Sequence, residues 1–152
     1  MGFMEAVAAC LRSYATFRGR ARRSELWWFQ LYGLVLSIPT SIGFVLLWGA
    51  AFAGSVTGPA EDPAINPDAV SWGAFTAAMG VLAAFALLFT LPNLAVQARR
   101  LHDIGQPAWW LALHLAGLGV VILVMGLVEG ERGSNRYGGD PRLVPASAGH
   151  AA

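Results

Sequence analysis

The sequence predicts an all-α membrane protein: an N-terminal interfacial amphipathic helix followed by three transmembrane helices. Three observations predict it. Apolar runs at residues 26–53, 72–94 and 108–128 each have about the 20 residues that carry a helix across a bilayer. Hydrophobic residues make up 56% of the chain and charged residues 12%, against about 25% charged in soluble domains. The charges gather in two knots beside the apolar runs, Arg18 to Trp28 and Arg99 to Trp110. With 152 residues there is room for one domain, an integral-membrane domain over 1–145 with a disordered tail at 146–152.

Each element follows in turn. Between Met1 and Phe17, the residues Phe3, Val7, Cys10, Leu11 and Tyr14 fall at helical spacing, with Glu5, Arg12 and Ser13 off the stripe. Such a helix is too short and too polar to span, and lies on the membrane surface or against the bundle. The first span is longer than a bilayer core requires and can tilt or fray at Gly49 and Gly54. Pro39 can kink it, which membrane helices tolerate. Trp27, Trp28 and Trp48 sit near its ends as an aromatic belt. Ala51-Phe52-Ala53 resembles a signal cleavage site, but the run is about twice the usual 7–15 residues, so it reads as a retained anchor.

Gly54 to Ser71 combines Pro59, Pro63 and Pro67 with Glu61, Asp62 and Asp68 and has no Arg, the composition of a solvated loop. The second span carries Pro92 near its exit and a surface of small residues, among them Gly73, Ala77 and Ala84, suited to close helix packing. Gly117 and Gly119 can serve the third span in the same way. Arginine placement sets the orientation. Arg12, Arg18, Arg20, Arg22, Arg23, Arg99 and Arg100 fall on one side, which the positive-inside rule makes cytoplasmic. Three full spans then put the C-terminus outside. A break at Gly117-Leu118-Gly119 would make the third run re-entrant and return the tail to the cytoplasm.

Several motifs combine: Gly19-Arg20-Ala21-Arg22-Arg23-Ser24-Glu25-Leu26-Trp27, then Arg99-Arg100-Leu101-His102-Asp103-Ile104-Gly105 with Trp109-Trp110, then Gly133-Ser134-Asn135-Arg136-Tyr137-Gly138-Gly139-Asp140-Pro141. In this order the chain resembles the DUF805 family of small bacterial inner-membrane proteins, a domain of unknown function. The resemblance runs from about Phe17 to Pro141. It implies a multi-pass protein of the bacterial inner membrane and brings no established activity.

Arg20, Arg22, Arg23, Glu25, Arg99, Arg100, His102 and Asp103 form the candidate interaction cluster. The plain alternative for the arginines is a topology signal that also attracts anionic lipid. That alternative leaves Glu25 unexplained, because an acid at a span entrance is costly unless paired. The simplest arrangement crosses the knots, pairing Glu25 with Arg100 and Asp103 with Arg22 or Arg23. Trp27, Trp28, Trp109 and Trp110 flank the knots and thin the water around them. Gly133, Asn135, Tyr137, Gly138 and Pro141 carry turn chemistry. They precede no helix and no Lys-Ser/Thr, so they are not a phosphate-cradling loop. His102 and Asp103 could handle a proton, but no nucleophile with a second motif accompanies them. His114 reads as a neutral ring bonded to a helix carbonyl, and Cys10 as a small apolar residue.

No Cys/His spacing matches a metal site, and no cofactor is implied. A net charge of +1 makes no case for nucleic acid. The expected role is non-enzymatic: binding of a partner protein or anionic lipid headgroups through the cluster. The alternative is an oligomeric small-solute transporter or channel, since three spans need further copies to enclose a pore.

Overall fold

Apolar length decides the two dominant elements. In the computed structural model, which describes residues 2–59 and 63–143, α1 is Phe3–Arg12, α2 is Arg23–Phe52, α3 is Trp72–Asp103 and α4 is Gly119–Met125. The best apolar windows of α2 and α3 have mean hydropathies of 1.9 and 2.1, and only 6% of each window is buried. Both helices are long and apolar enough to cross a membrane. Their exposed Leu34, Val35, Ile42, Leu46, Leu87 and Leu88 make the apolar exterior that lipid requires and water penalises. Pro39 and Pro92 lie inside the two helices without ending them.

The chain divides into two compact units, Leu34–Leu88 and the remainder, Met1–Gly33 with Phe89–Ala152. In Leu34–Leu88, Phe44, Trp48 and Phe52 recur every fourth residue of α2, so they share one face. Trp48 and Phe52 meet Phe75 of α3 at centroid distances of 5.7 and 6.4 Å. The expected loop between the helices holds a short antiparallel pair, β1 (Val56–Thr57) with β2 (Ala64–Ile65), in register Val56 to Ile65. A 3-10 turn at Pro67–Ala69 follows, capped by the Asn66 side chain, which accepts from the Asp68 amide at 3.1 Å.

The other unit packs Cys10, Ala21, Leu26, Phe29 and Val96 into a core, with Tyr32 and Phe89 against it. Phe29 and Phe89 stack at 5.4 Å, and Gly33 lies so close to the Phe89 ring that a β-carbon there would collide with it. Helix α1 buries Ala6, Val7, Ala9 and Cys10. Leu11, expected on the buried stripe, is 40% exposed. The small residues make the buried face of this helix because they allow the closest approach.

Two expectations change here. The knot at Arg99 to Asp103 is the last part of α3, which runs nine residues past the expected end of the second apolar run at residue 94. Ala95, Val96, Ala98 and Leu101 supply a buried face that extends the helix past the apolar run. The helix stops where Gly105 takes φ +74: Gly105 N donates to His102 O and Gln106 N to Leu101 O, a Schellman ending.

The third apolar run, 108–128, is not the single helix expected. A 3-10 helix at Ala108–His114 ends in a second Schellman pattern, with Gly117 at φ +73 and Leu118 N bonded to Leu113 O. The seven-residue α4 then follows. Seven residues cover roughly 10–14 Å, against a hydrocarbon core of about 30 Å. The chain also returns to where it left α3, because the Glu131 amide donates to the Asp103 carbonyl at 2.8 Å. The tail predicted at 146–152 lies outside the described residues.

Candidate functional site

Three segments meet in the unit that holds both chain termini: the stretch before α2, the end of α3, and Glu129 to Arg142. Backbone pairing sets the first contact, with Ala21 N donating to Arg99 O at 3.1 Å after a turn at Gly19 (φ +87). This pairing carries Arg20 inward. Its side chain is 1% exposed, and Nε donates to Asp103 Oδ1 at 2.9 Å. Its two terminal nitrogens donate to the carbonyls of Gly133, Gly138 and Glu131. One guanidinium thus ties the end of α3 to the C-terminal segment, as its planar fork of donors allows.

Asp103 takes a second arginine, Arg100, on Oδ2. Arg100 also donates to the carbonyls of Gly126, Ala21 and Val128. Those carbonyls follow or precede irregular chain and have no helical partner of their own to satisfy them. Gly130 passes so close to the Asp103 carboxylate that a β-carbon would collide with it.

Glu25 pairs with Arg99 at 2.7 Å, and both side chains are buried. The expected crossing of the two knots therefore exists with other partners. Arg99, not Arg100, meets Glu25, and Asp103 meets Arg20 and Arg100, not Arg22 or Arg23. The reason is helical: neighbours on α3 point about 100° apart, so Arg99 faces α2 while Arg100 faces the returning chain. Arg22 and Arg23 reach that chain instead, donating to Pro141 O at 2.7 Å and Val128 O at 3.2 Å. Cys10 adds its thiol to Glu25 Oε1 at 3.8 Å. Burial, reinforced by the Glu25 charge, pushes the Cys10 thiol up to about 12. Arg99 Nε and Nη2 meet no protein partner among the described residues.

The C-terminal motif forms the turn its residues predict, closed by a pair of hydrogen bonds between Asn135 and Gly138. The sequence did not announce its docking. Asn135 Nδ2 donates to His102 O at 3.0 Å, and Tyr137 stacks on the His102 ring at 3.9 Å. Arg136 lies over the other ring partner, 4.7 Å from the Tyr137 centroid. His102 Nδ1 meets Gly19 O at 3.1 Å, a bond that puts the proton on Nδ1. Pro141 supplies the carbonyl that Arg22 holds. Asp140 grips the Arg142 guanidinium with both oxygens, each at 2.8 Å. The Arg142 side chain, with its backbone amide, holds the Asp140 carboxyl well below the usual range.

Glu131, Arg136, Asp140 and Arg142 were missed as participants because a spanning third run puts them across the membrane. Trp27 and Trp28 are about two-fifths exposed, and Trp109 is stacked on Trp110 at 4.8 Å. His114 bonds to Leu111 O at 3.1 Å and lies against Gly119. Beside the cluster lies an open cleft of about 470 Å³ lined by Arg22, Arg23, Ser24, Arg100 and Arg142, with Asp103 and Glu129 as its carboxylates. Among the described residues no group of three His, Cys, Asp or Glu is placed to hold a metal.

Two long apolar helices and a cluster of buried arginines and carboxylates define a small helical membrane protein. The chain belongs to the DUF805 family, described as a protein of unknown function, whose model matches residues 14–139. It is similar to the Inner membrane protein YhaH of Escherichia coli (strain K12), 33% identical over 89% of this chain and 94% of that protein. It is also similar to the Inner membrane protein YhaI of the same strain, 32% identical over 92% of this chain and 98% of that protein. No solved structure matches the chain.

Proposed function

We propose that the chain is a non-enzymatic binding component of the inner membrane, anchored by α2 and α3, whose arginine-rich end engages an anionic partner in the cytoplasm. The return of the C-terminal segment carries this reading. All ten basic residues are arginines of the unit that contains both termini, whereas Gly54 to Ser71 has none. By the positive-inside rule this end is cytoplasmic and the β1–β2 segment external. The third run then enters the membrane from the cytoplasmic side and leaves on the same side, with its exposed Leu115, Val120 and Val124 in the apolar layer. α1 lies in the interface with Met4 and Leu11 toward lipid. Asp103 is already held by Arg20 and Arg100, and Arg23 gives Nε to Val128 O, so the cleft presents the outer end of the Arg23 guanidinium to a partner.

The test has two parts. In a Cys10→Ala background, Gln106→Cys should label from the cytoplasm and Ile65→Cys from outside, with a C-terminal reporter cytoplasmic. Chain purified from native membrane in mild detergent should retain an anionic lipid or acidic protein that the Arg22→Glu, Arg23→Glu pair sheds. The reverse labelling, or equal recovery from both proteins, would overturn the reading.

A further inference from the structure

We propose that the cleft at the start of α2 is a site for the phosphate of one anionic phospholipid headgroup. The inference rests on the cytoplasmic binding role above and names its ligand. Four arginines, Arg22, Arg23, Arg100 and Arg142, line the cleft against two carboxylates. One of those carboxylates, Asp103, is already held by Arg20 and Arg100. The other, Glu129, is 63% exposed and lies 3.8 Å from Arg142, which Asp140 also holds, so Arg23 is the arginine the site relies on. Arg23 gives only Nε to Val128 O, and its terminal nitrogens meet no protein partner among the described residues.

Arg23 and Ser24 also open a helix of 30 residues, whose first amides have no helical acceptor and whose dipole favours an anion. A planar arginine fork and a hydroxyl lining one cleft at a helix start suit a tetrahedral phosphate oxyanion. The volume falls within the roughly 300–1,000 Å³ of small-molecule sites.

The surroundings select a lipid over free phosphate. Trp27 and Trp28 lie about one turn further along α2, roughly 6 Å deeper, and half-exposed tryptophans mark headgroup depth. Leu127 and Val128, 58% and 54% exposed, lead directly into Glu129 and Gly130 of the cleft wall. A charged cleft with an apolar border matches an amphiphile, and inorganic phosphate leaves that border unused.

The experiment is native mass spectrometry of the full chain in mild detergent, titrated with phosphatidylglycerol, phosphatidylcholine or inorganic phosphate. The wild type should retain one phosphatidylglycerol with about tenfold preference over phosphatidylcholine. Arg23→Gln with Ser24→Ala should weaken it about tenfold, the loss expected for a charge-assisted contact. Arg23→Lys, which keeps the charge without the fork, should fall between them. Arg132→Gln removes an arginine 85% exposed at the same end but off the cleft, and should change nothing. Equal weakening by Arg132→Gln and Arg23→Gln/Ser24→Ala would mean diffuse attraction and overturn the site. Displacement of the lipid by inorganic phosphate would overturn the lipid assignment. If lipid retention fails while Arg22→Glu/Arg23→Glu still sheds an acidic protein, the headgroup site falls and the binding role stands. If neither is retained, both fall.

Discussion

The two units of this protein are filled in opposite ways. Among the described residues of Leu34–Leu88 the buried ones are Ala51, Ser55 and Ala78, while many Leu, Ile and Val side chains stand exposed. In the unit with both termini, Arg20, Glu25, Arg99, Arg100 and Asp103 are all buried. The difference teaches what each surrounding medium supplies. Lipid completes the packing of an apolar helix surface, so the first unit needs only a small-residue and aromatic contact inside. Irregular chain leaves carbonyls with no helical partner, so the second unit brings its own donors. The buried arginines are those donors, and the carboxylates keep their charge affordable.

That contrast can be broken at several points. The largest effect is expected at Asp103, whose removal leaves Arg20 and Arg100 buried without a counter-charge. Asp103→Ala should cost about 3–5 kcal/mol, read as a fall in folded protein on denaturant titration in detergent. A loss under 1 kcal/mol would mean that water reaches both guanidiniums.

Gly33 tests packing rather than charge. Gly33→Ala forces a β-carbon into the Phe89 ring and should cost about 1–3 kcal/mol in the same titration. Unchanged stability would show that the Phe29–Phe89 stack yields freely.

Cys10 gives a pH signature. Its folded value is raised to about 12 from an ordinary 9.0, so the folded state binds the proton more tightly than the unfolded chain. Stability from this group is therefore fully present below pH 9.0 and declines as pH rises toward 12. Cys10→Ala should flatten that decline, and wild-type thiol should resist alkylation at pH 9 until the protein is unfolded. Rapid alkylation of the folded protein would remove the buried thiol–Glu25 contact.

The smallest effect belongs to the apolar unit. Leu46, 67% exposed on α2, should tolerate Leu46→Ala within about 0.5 kcal/mol in a bilayer. A loss comparable to that at Gly33 would reveal a protein contact on this face.

The sequence by itself determined the two long helices, the solvated acid-and-proline connection and the gathering of Arg20, Glu25, Arg99 and Asp103 into one region. Those features depend on local quantities: apolar length, flanking Arg and Trp, and the absence of Arg from Gly54 to Ser71. The turn at Asn135–Gly138 was equally legible, since its residues carry their own backbone preference. Only the tertiary structure decided the fate of 108–128. Its composition suits a span, yet one positive φ at Gly117 and the docking of Glu131 on the Asp103 carbonyl fold it back. Partner choice among the arginines was also tertiary. Each guanidinium is long and carries several donors, so charge and spacing leave many pairings open. The 100° step along α3 and the position of the returning chain select Arg99 for Glu25 and Arg20 with Arg100 for Asp103.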